Sequence, residues 1–209
     1  MKLLVFGASG GTGRELVKQA LDQGHDVTAF VRDPAKLEGA QHSNLKLVCG
    51  DVLNPSAVKN AVAGQEVVLV TIGTGPKRTT LREEGTRNIV GAMQGTGVKR
   101  LICQSSLGVG DSRANLPFFT KHIVVDIFLR HAFADHERQE AVLRQSSVDW
   151  IAVRPPHLKD GTHTQTYQHG FPAIGADIKG WISRSDVADF MLKQLVNDNY
   201  VQQTPGVSY

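Results

Sequence analysis

Residues 2–17 read Lys2-Leu-Leu-Val-Phe-Gly7-Ala-Ser-Gly10-Gly-Thr-Gly13-Arg-Glu-Leu-Val17. A short apolar strand runs into three glycines at three-residue spacing, and an amphipathic helix follows. Gly7 permits a sharp turn at the strand end, Gly10 lets backbone amides approach a pyrophosphate, and Gly13 lets the helix pack close to the sheet. Phosphates would then lie at the positive end of that helix. The spacing predicts a dinucleotide-binding βαβ crossover; the plainer alternative is an ordinary glycine-rich turn.

The composition is typical of a soluble globular protein, with 209 residues, 41% hydrophobic and 21% charged. The net charge of +3 comes from interspersed acids and bases, which argues against a nucleic acid or a membrane surface as partner. No stretch is long and apolar enough for a membrane span, and residues 2–6 are already core strand. We therefore expect no signal peptide and a cytoplasmic protein. Cys49 and Cys103 fall in predicted strands, where we expect buried reduced thiols and no metal site.

Strands and helices alternate along the first two thirds of the chain, an order that requires a parallel sheet with helices on both faces. We predict an α/β fold with a doubly wound parallel sheet, a Rossmann fold that spans residues 1–209 as a single domain. The strands predicted after the first one cover residues 26–31, 45–49, 67–72, 100–105 and 150–153. The predicted helices cover residues 55–62, 81–93 and a long stretch from about 118 to 144. Ligands of such sheets bind beyond the carboxyl ends of the strands.

The pattern becomes less regular after Pro155-Pro156. Residues 157–175 are rich in Gly, His, Thr and Gln, which indicates a loop over the site. A short strand near residues 179–182 precedes a last helix, which Ser183 or Ser185 can cap. We therefore expect the substrate side of the domain in two loops, at about 108–122 and 157–178.

The second predicted strand is followed by Arg32 and Asp33, with Lys36 a few residues further on. A carboxylate at this position holds the ribose 2′-hydroxyl of NAD, whereas an arginine accommodates the 2′-phosphate of NADP. A guanidinium can pair with phosphate through two parallel hydrogen bonds, so the position favours NADP. The alternative is an exposed arginine at a helix start, with Asp33 only capping the turn at Pro34.

Two further strand ends supply candidate cofactor contacts. Asp51 and Val52 follow the third strand, where a carboxylate or a backbone amide can reach the adenine, and Asp51 can also cap a turn. Ile72, Gly73 and Thr74 end the fourth strand beside the expected ribose. The glycine permits a close approach of the backbone, although a tight turn would also require it.

Ser105 and Ser106 end the fifth strand and face the expected nicotinamide. In short-chain dehydrogenases a serine here works with a Tyr-x-x-x-Lys pair, whose lysine lowers the pKa of the tyrosine acid. None of the three tyrosines of this chain has a lysine four residues on. His136 stands where the tyrosine helix is expected, and is either a proton donor or a partly exposed histidine without a role. His157, which follows Arg154-Pro-Pro, either reaches the carboxamide of the cofactor or packs in the turn.

Seven motifs occur together in the chain: Phe6-Gly-Ala-Ser-Gly-Gly-Thr-Gly13, Val31-Arg-Asp33, Gly50-Asp-Val-Leu53, Glu84-Gly-Thr-Arg-Asn-Ile-Val90, Ser105-Ser106, Arg154-Pro-Pro-His157 and Gly180-Trp-Ile-Ser-Arg-Ser-Asp-Val187. This set resembles the family of biliverdin-IXβ reductase, also called NADPH-dependent flavin reductase, an atypical short-chain dehydrogenase family. The similarity covers nearly the whole chain, and the glycine motif and Pro-Pro-His are shared with broader relatives of the NmrA type. Two features depart from the family pattern: Gln104 replaces a cysteine, and residues 109–126 follow no family motif.

The resemblance implies hydride transfer from NADPH to dissociable flavins (FMN, FAD or riboflavin) and to linear tetrapyrroles such as biliverdin. A flavin takes hydride at N5 and its proton can come from water, so the missing tyrosine acid fits this activity. The implied active-site serine is Ser106, with His136 on the substrate side. The implied cofactor site consists of Gly7, Ser9, Gly10, Gly11, Thr12, Gly13, Arg32, Lys36, Asp51, Val52, Ile72, Gly73, Thr74, His157 and Leu158.

We expect a monomer that acts on a small molecule. The alternative from another class is a non-enzymatic NADP-binding redox sensor or regulator of the NmrA type. The loop at residues 108–119 and the lack of a tyrosine acid would suit such a regulator. The short part of the chain after residue 155 leaves little room for a partner-binding domain, which argues against it.

Overall fold

The computed structural model describes residues 1–37, 41–73, 78–116, 119–170 and 179–209. The six strands of its main sheet are β1 (Lys2–Phe6), β2 (Asp26–Val31), β3 (Leu45–Cys49), β4 (Val67–Val70), β5 (Arg100–Gln104) and β6 (Asp149–Val153). All neighbours are parallel, in the order β3-β2-β1-β4-β5-β6. This is the strand order of the doubly wound dinucleotide-binding fold, and the predicted fold class is confirmed.

The central strand β1 shows why this sheet forms. Leu3–Phe6 are fully buried, because β1 pairs with β2 on one side and β4 on the other and is covered on both faces. The all-apolar strand β4 is buried in the same way, as its continuous run of valine and leucine predicts. The strands β4 and β5 end two residues and one residue earlier than predicted, which leaves Ile72 and Ser105 in the turns beyond the sheet.

The α-helices in the described residues are α1 (Gly11–Asp22), α2 (Pro55–Val62), α3 (Leu81–Thr96), α4 (Arg130–Arg144) and α5 (Arg184–Lys193). The helices α1 and α5 pack together on one face of the sheet, and α2, α3 and α4 cover the other. Their ends follow the usual capping rules: the Asn54 side chain caps α2, and Gly97 ends α3 with φ of +78°. Ser183 caps α5, because its Oγ accepts a hydrogen bond from the Asp186 backbone N–H at 3.0 Å.

The prediction of one long helix from about residue 118 to residue 144 was wrong, because the structure divides this stretch into two helical elements. The structure has a π-helical stretch, Thr120–Phe128, followed by α4, with a break at Leu129, where φ is −109° and ψ is 9°. The stretch contains the consecutive β-branched residues Ile123-Val124-Val125, whose side chains are crowded in an α-helix. Residues 117 and 118 lie outside the described residues.

The chain after Pro156 is more regular than predicted. It contains β7 (His157–Lys159), β8 (Gln168–Gly170), β9 (Trp181–Ser183) and β10 (Gly206–Ser208), in two small sheets that pair β7 with β9 and β8 with β10. The strand β9 corresponds to the short strand predicted near residues 179–182. Part of the predicted loop, residues 171–178, lies outside the described residues.

Two carboxylates of α5 hold this C-terminal region onto the domain. Asp186 accepts hydrogen bonds from the backbone N–H and hydroxyl of Thr164, at 2.8 and 2.7 Å, and from the Tyr209 hydroxyl. Asp189 accepts a hydrogen bond from the Tyr167 hydroxyl at 2.5 Å and pairs with Lys193 at 2.7 Å. The segment between β7 and β8 is therefore anchored to the helix that packs on α1.

The prediction for the cysteines was half right. Cys103 is buried in β5, and burial raises the pKa of its thiol far above the ordinary value. Cys49 is exposed, because β3 is an edge strand whose last residue has a neighbouring strand on one side only. Among the described residues, none of the helices is both long and apolar enough to span a bilayer.

Candidate active site

A cleft of about 510 Å³ opens at the carboxyl ends of the parallel strands, where the strand order reverses between β1 and β4. It is lined by most of the residues that the sequence predicts for the site: Gly7, Ser9, Gly10, Gly11, Thr12, Arg32, Lys36, Asp51, Val52, Ile72, Gly73, Ser106, His136 and Leu158. Three predicted residues are not in this lining. Gly13 lies beneath the glycine loop, His157 begins β7 as an exposed residue, and Thr74 lies outside the described residues.

The geometry of the glycine loop explains its spacing. Gly7 has φ of +81°, and a Cβ there would lie 2.6 Å from the carbonyl oxygen of Thr71 in the neighbouring strand turn. A Cβ at Gly13 would overlap the Gly7 carbonyl, so only glycine lets the first turn of α1 pack so close. The loop is closed by the Gly10 N–H, which donates to the Gly7 carbonyl at 3.0 Å. The first turn of α1 then begins at the cleft, as phosphate binding requires.

The end of β2 brings cations to one end of the cleft. Arg32 and Lys36 both line it, and both are exposed. The turn between them is fixed by Asp33, whose carboxylate accepts from the Ala35 N–H at 3.1 Å. Arg14 of α1 donates to the carbonyl of Lys36 at 3.0 Å. Asp33 therefore does cap its turn, while the Arg32 side chain stays available to an anion in the cleft.

The next two strand ends form the walls. At the end of β3, the Asp51 carboxylate accepts from the Leu53 N–H at 2.9 Å, so its turn-capping role is present alongside its place in the lining. A Cβ at Gly50 would lie 2.5 Å from the Phe30 ring, which explains the glycine before it. If Gly73 carried a Cβ, no described atom would lie within 4 Å of it, so the space beside its backbone is open.

Arg184, the first residue of α5, is a lining residue that the sequence analysis did not single out. Its side chain lies over the glycine loop, since a Cβ at Gly11 would be 2.5 Å from the Arg184 Cδ. Its guanidinium pairs with Asp160 at 2.7 Å, and the Asp160 side chain is exposed. The lack of a side chain at Gly11 therefore makes room for Arg184, which is far away along the chain. Nothing local in the sequence could have shown this contact.

His136 closes the opposite end of the cleft and is buried, 8% exposed, so of its two alternatives the partly exposed histidine without a role is wrong. The reason is that α4 packs its face onto α3. Burial, with a further contribution from the Arg82 guanidinium, lowers the pKa of His136 to about 3. Its Nδ1 lies 3.2 Å from Oε1 of Gln139. The imidazole is therefore neutral at physiological pH.

Beneath the serines lies a buried ionic network that the sequence analysis missed. Both serines line the cleft. Ser105 is buried and its hydroxyl donates to Glu140 at 2.7 Å, whereas Ser106 is half-buried. Glu140 receives two hydrogen bonds from the guanidinium of Arg154, at 2.9 and 2.7 Å, and both residues are buried. Arg154 also pairs with Asp111 at 2.6 Å, which lowers the pKa of that carboxyl through the hydrogen bond.

A tyrosine and a lysine do meet in space, but away from the cleft. The Lys193 ammonium donates to the Tyr167 hydroxyl at 3.1 Å, and the hydroxyl itself donates to Asp189 at 2.5 Å. Burial and the neighbouring carboxylate raise the pKa of Tyr167, the opposite of what a tyrosine acid needs. Within the described part of the chain, no cluster of three or more His, Cys, Asp or Glu residues suits a metal ion.

Taken together, the residues present fit a phosphorylated dinucleotide. The glycine cradle has room that a side chain would fill, the first turn of α1 faces the cleft, and Arg32 and Lys36 stand where β2 ends. The other end carries the Ser106 hydroxyl and the His136 imidazole. We call the end with Arg32 and Lys36 the phosphate end and the end with Ser106 and His136 the reaction end.

The buried histidine predicts a pH dependence of stability. The ordinary pKa of a histidine is about 6.5, so between pH 6.5 and 3 the unfolded chain binds a proton at His136 that the folded chain does not. This contribution to stability is present at neutral pH and is lost as the pH falls. Linkage gives a loss of about 2 kcal/mol between pH 7 and pH 5. Urea unfolding at both pH values should show a smaller loss for His136→Gln than for the unchanged protein, and equal losses would contradict the burial.

The chain belongs to the NAD(P)H-binding family, whose model matches residues 7–198. Among curated relatives, the photosystem II assembly factor Ycf39 of Synechocystis is 31% identical over 98% of this chain, which spans only 61% of that protein. Among solved structures, ChuY, described as an anaerobillin reductase from Escherichia coli O157:H7, is 25% identical, with a TM-score of 0.80 over 100% of this chain and 97% of that one.

A short-chain dehydrogenase/reductase of Veillonella parvula, solved in complex with NADP, is 19% identical with a TM-score of 0.84, over 100% of this chain and 94% of its own. At that identity the likeness shows the fold alone. The fold, the cleft and the matching family together define the protein as an NAD(P)H-dependent oxidoreductase with a fold like that of short-chain dehydrogenases.

Proposed function

We propose that the protein is an NADPH-dependent reductase that transfers hydride to flavins (FMN, FAD or riboflavin) and to linear tetrapyrroles such as biliverdin. One observation carries this proposal: a single cleft joins a glycine cradle and two cations to Ser106 and His136, with no tyrosine–lysine pair among its described lining residues. Such a site suits acceptors that need orientation more than a dedicated acid. We further propose that it works as a monomer in the cytoplasm, without a membrane or nucleic acid.

The cofactor is assigned along the cleft from the phosphate end. Ser9, Gly10, Gly11 and Thr12 would hold the pyrophosphate together with Arg184, and Arg32 and Lys36 would pair with the 2′-phosphate. The adenine lies beside Asp51 and Val52. Ile72, Gly73, Ser106 and Leu158 would contact the nicotinamide half. Thr74, which lies outside the described residues, and the exposed His157 are the remaining proposed contacts, and Gly7 and Gly13 shape the cradle.

When bound, NADPH supplies a hydride from its nicotinamide. The chain itself supplies three things: phosphate binding at one end, apolar lining from Ile72 and Pro155-Pro156, and polar atoms at the reaction end. Holding donor and acceptor face to face can contribute several kcal/mol to lowering the barrier. One proton balances the reaction, and for a flavin it comes from water.

Two similarities point to different uses of this site. The anaerobillin reductase named above has this fold over its whole length, which supports a tetrapyrrole acceptor. The likeness to an assembly factor favours the second candidate, a non-enzymatic NADP-binding sensor or regulator of the NmrA type. The two differ in one property, since only a reductase passes the electrons on.

The deciding experiment follows NADPH oxidation at its own absorbance, with and without FMN or biliverdin. A reductase oxidises NADPH only when an acceptor is added, and it retains no flavin through purification because the flavin is a dissociable substrate. A protein that binds NADPH tightly but oxidises it no faster with either acceptor is a sensor, and the reductase proposal then fails.

Arg32→Ala is expected to remove the preference for NADPH over NADH. Hydrogen bonds to charged groups contribute about 1.5–3 kcal/mol, and because Arg32 is exposed we expect the lower end, a preference of roughly tenfold. Isothermal titration calorimetry with both cofactors measures it. Arg184→Ala is the matched control. It also removes one arginine charge, but from the proposed pyrophosphate site that NADPH and NADH share, so the affinities for the two cofactors should fall by a similar factor. Equal affinities of the unchanged protein for NADPH and NADH would contradict the assignment.

A further inference from the structure

The reaction end of the cleft contains a chain of three buried polar side chains that ends at His136. Thr86 of α3 and Gln139 of α4 are fully buried. The Gln139 Nε2 donates to the Thr86 hydroxyl oxygen at 3.0 Å, and its Oε1 lies 3.2 Å from the His136 Nδ1. The amide therefore bridges the Thr86 hydroxyl and the imidazole, and its oxygen lies on the side of the imidazole.

This arrangement determines where the imidazole carries its proton. An amide oxygen can only accept, so Nδ1 of His136 must be the donor. A neutral imidazole has one N–H, and its other nitrogen is then an acceptor. Since the histidine is neutral at physiological pH, Nε2 bears a lone pair.

The Nε2 atom has no hydrogen-bond partner among the described residues, and His136 keeps 8% of its surface exposed. His136 is itself a lining residue. Gln104 also lines the cleft, and its Oε1 is a second acceptor without a partner in the described part of the chain. Unpaired acceptors of this kind are costly unless a ligand donates to them.

We propose that Gln139 is a positioning residue that holds His136 with its proton on Nδ1, so that the Nε2 lone pair selects hydride acceptors carrying an N–H at their reacting edge. The inference rests on the proposed reductase function and names its preferred substrate class. The pyrrole and lactam N–H groups of a linear tetrapyrrole meet this requirement. An oxidised flavin offers N5 and a carbonyl oxygen at its reacting edge, and both are acceptors.

The first test reads the tautomer in the protein without any acceptor. The ring of His136 is observed by ¹⁵N NMR in protein labelled at histidine, with the His136→Gln spectrum to assign its signals. We expect a protonated Nδ1 and an unprotonated Nε2 at neutral pH. A protonated Nε2 would overturn the inference, whatever acceptors the protein reduces.

The second test compares variants by the ratio of kcat/KM for biliverdin to kcat/KM for FMN. Gln139→Glu places a carboxylate against Nδ1, which stabilises the imidazolium and turns Nε2 into a donor, so the ratio should fall by about tenfold. Thr86→Val frees the far end of the amide and should give a mixture of tautomers with a smaller fall. Gln145→Glu adds the same charge at the exposed end of α4 and should leave the ratio unchanged.

The two proposals fail in different ways. Absence of any acceptor-dependent NADPH oxidation would end the reductase proposal and leave the NMR result standing. Turnover of both acceptors with a ratio unaffected by Gln139→Glu and by Thr86→Val would end the inference about His136 alone. If Gln139→Glu does not fold, Thr86→Val and the NMR signal still decide it.

Discussion

Replacing Glu140 with alanine is expected to lower the free energy of unfolding by about 3–5 kcal/mol, as measured by urea denaturation. The reason is that Arg154 is only 2% exposed and donates two of its hydrogen bonds to this carboxylate. Without Glu140, the guanidinium remains in the interior, and among the described residues only the exposed Asp111 is left as a charged partner. A buried charge that has lost its counter-charge is among the most destabilising changes a core can suffer.

Two controls separate this effect from the loss of packing or of a surface charge. Asp22→Ala breaks the exposed pair between Lys18 and Asp22 and should cost at most about 1 kcal/mol. The double variant Glu140→Leu, Arg154→Met removes both charges and should recover a large part of the stability lost by Glu140→Ala. If the double variant is less stable than Glu140→Ala, the pair stabilises the fold in itself and the explanation by an unpaired charge is wrong.

The network also connects the fold to the site. Glu140 accepts from Ser105, the last residue before Ser106, and Arg154 holds Asp111 at the start of the 3₁₀ helix Gly110–Asn115. Substrate-side residues are thus attached to the carboxyl ends of β5 and β6 by one pair of charges. We infer that loosening this pair would disorder the reaction end before it disturbs the glycine cradle.

The phosphate end could be predicted from the sequence because its determinants are local. Gly7, Gly10 and Gly13 lie within one turn and the start of one helix. Any chain that makes this crossover needs glycine at these positions for the same steric reasons. Arg32 follows a strand whose apolar run is plain in the sequence. The parallel pairing of the strands follows from alternation and handedness, whereas their order within the sheet was not predicted.

The reaction end could not be predicted in the same way, since its residues meet only through tertiary packing. Arg184 reaches Gly11 from 173 positions away along the chain, and Thr86 meets Gln139 from 53. A histidine in a helix gives no sign of whether it will be buried, and a partly exposed side chain was one of the two alternatives for His136. The same limit applies to Cys49, because strand propensity does not show which strand will lie at the sheet edge.

Ser106→Ala is expected to lower bilin reduction by about 10²-fold, the lower end of the range for general acid catalysis, and to lower flavin reduction only a few-fold. A pyrrole nitrogen or carbon must be protonated at or near hydride transfer, whereas the proton for a flavin comes from water. His136 is a poor source of that proton, since burial lowers its pKa to about 3. We therefore assign the proton to the Ser106 hydroxyl or to a water that it holds.

The measurement is the turnover rate at saturating NADPH with biliverdin and with FMN. Within the described residues the Ser106 hydroxyl makes one long contact, 3.3 Å to the Leu107 carbonyl, so removing it leaves little else there unpaired. Ser105→Ala removes the neighbouring hydroxyl from Glu140 and should reduce stability without changing the bilin-to-flavin ratio. Ser106→Thr keeps the hydroxyl and should retain bilin activity. If Ser106→Ala abolishes flavin reduction while NADPH binds normally, the serine is a dedicated acid for both acceptors, and positioning alone does not explain the chemistry.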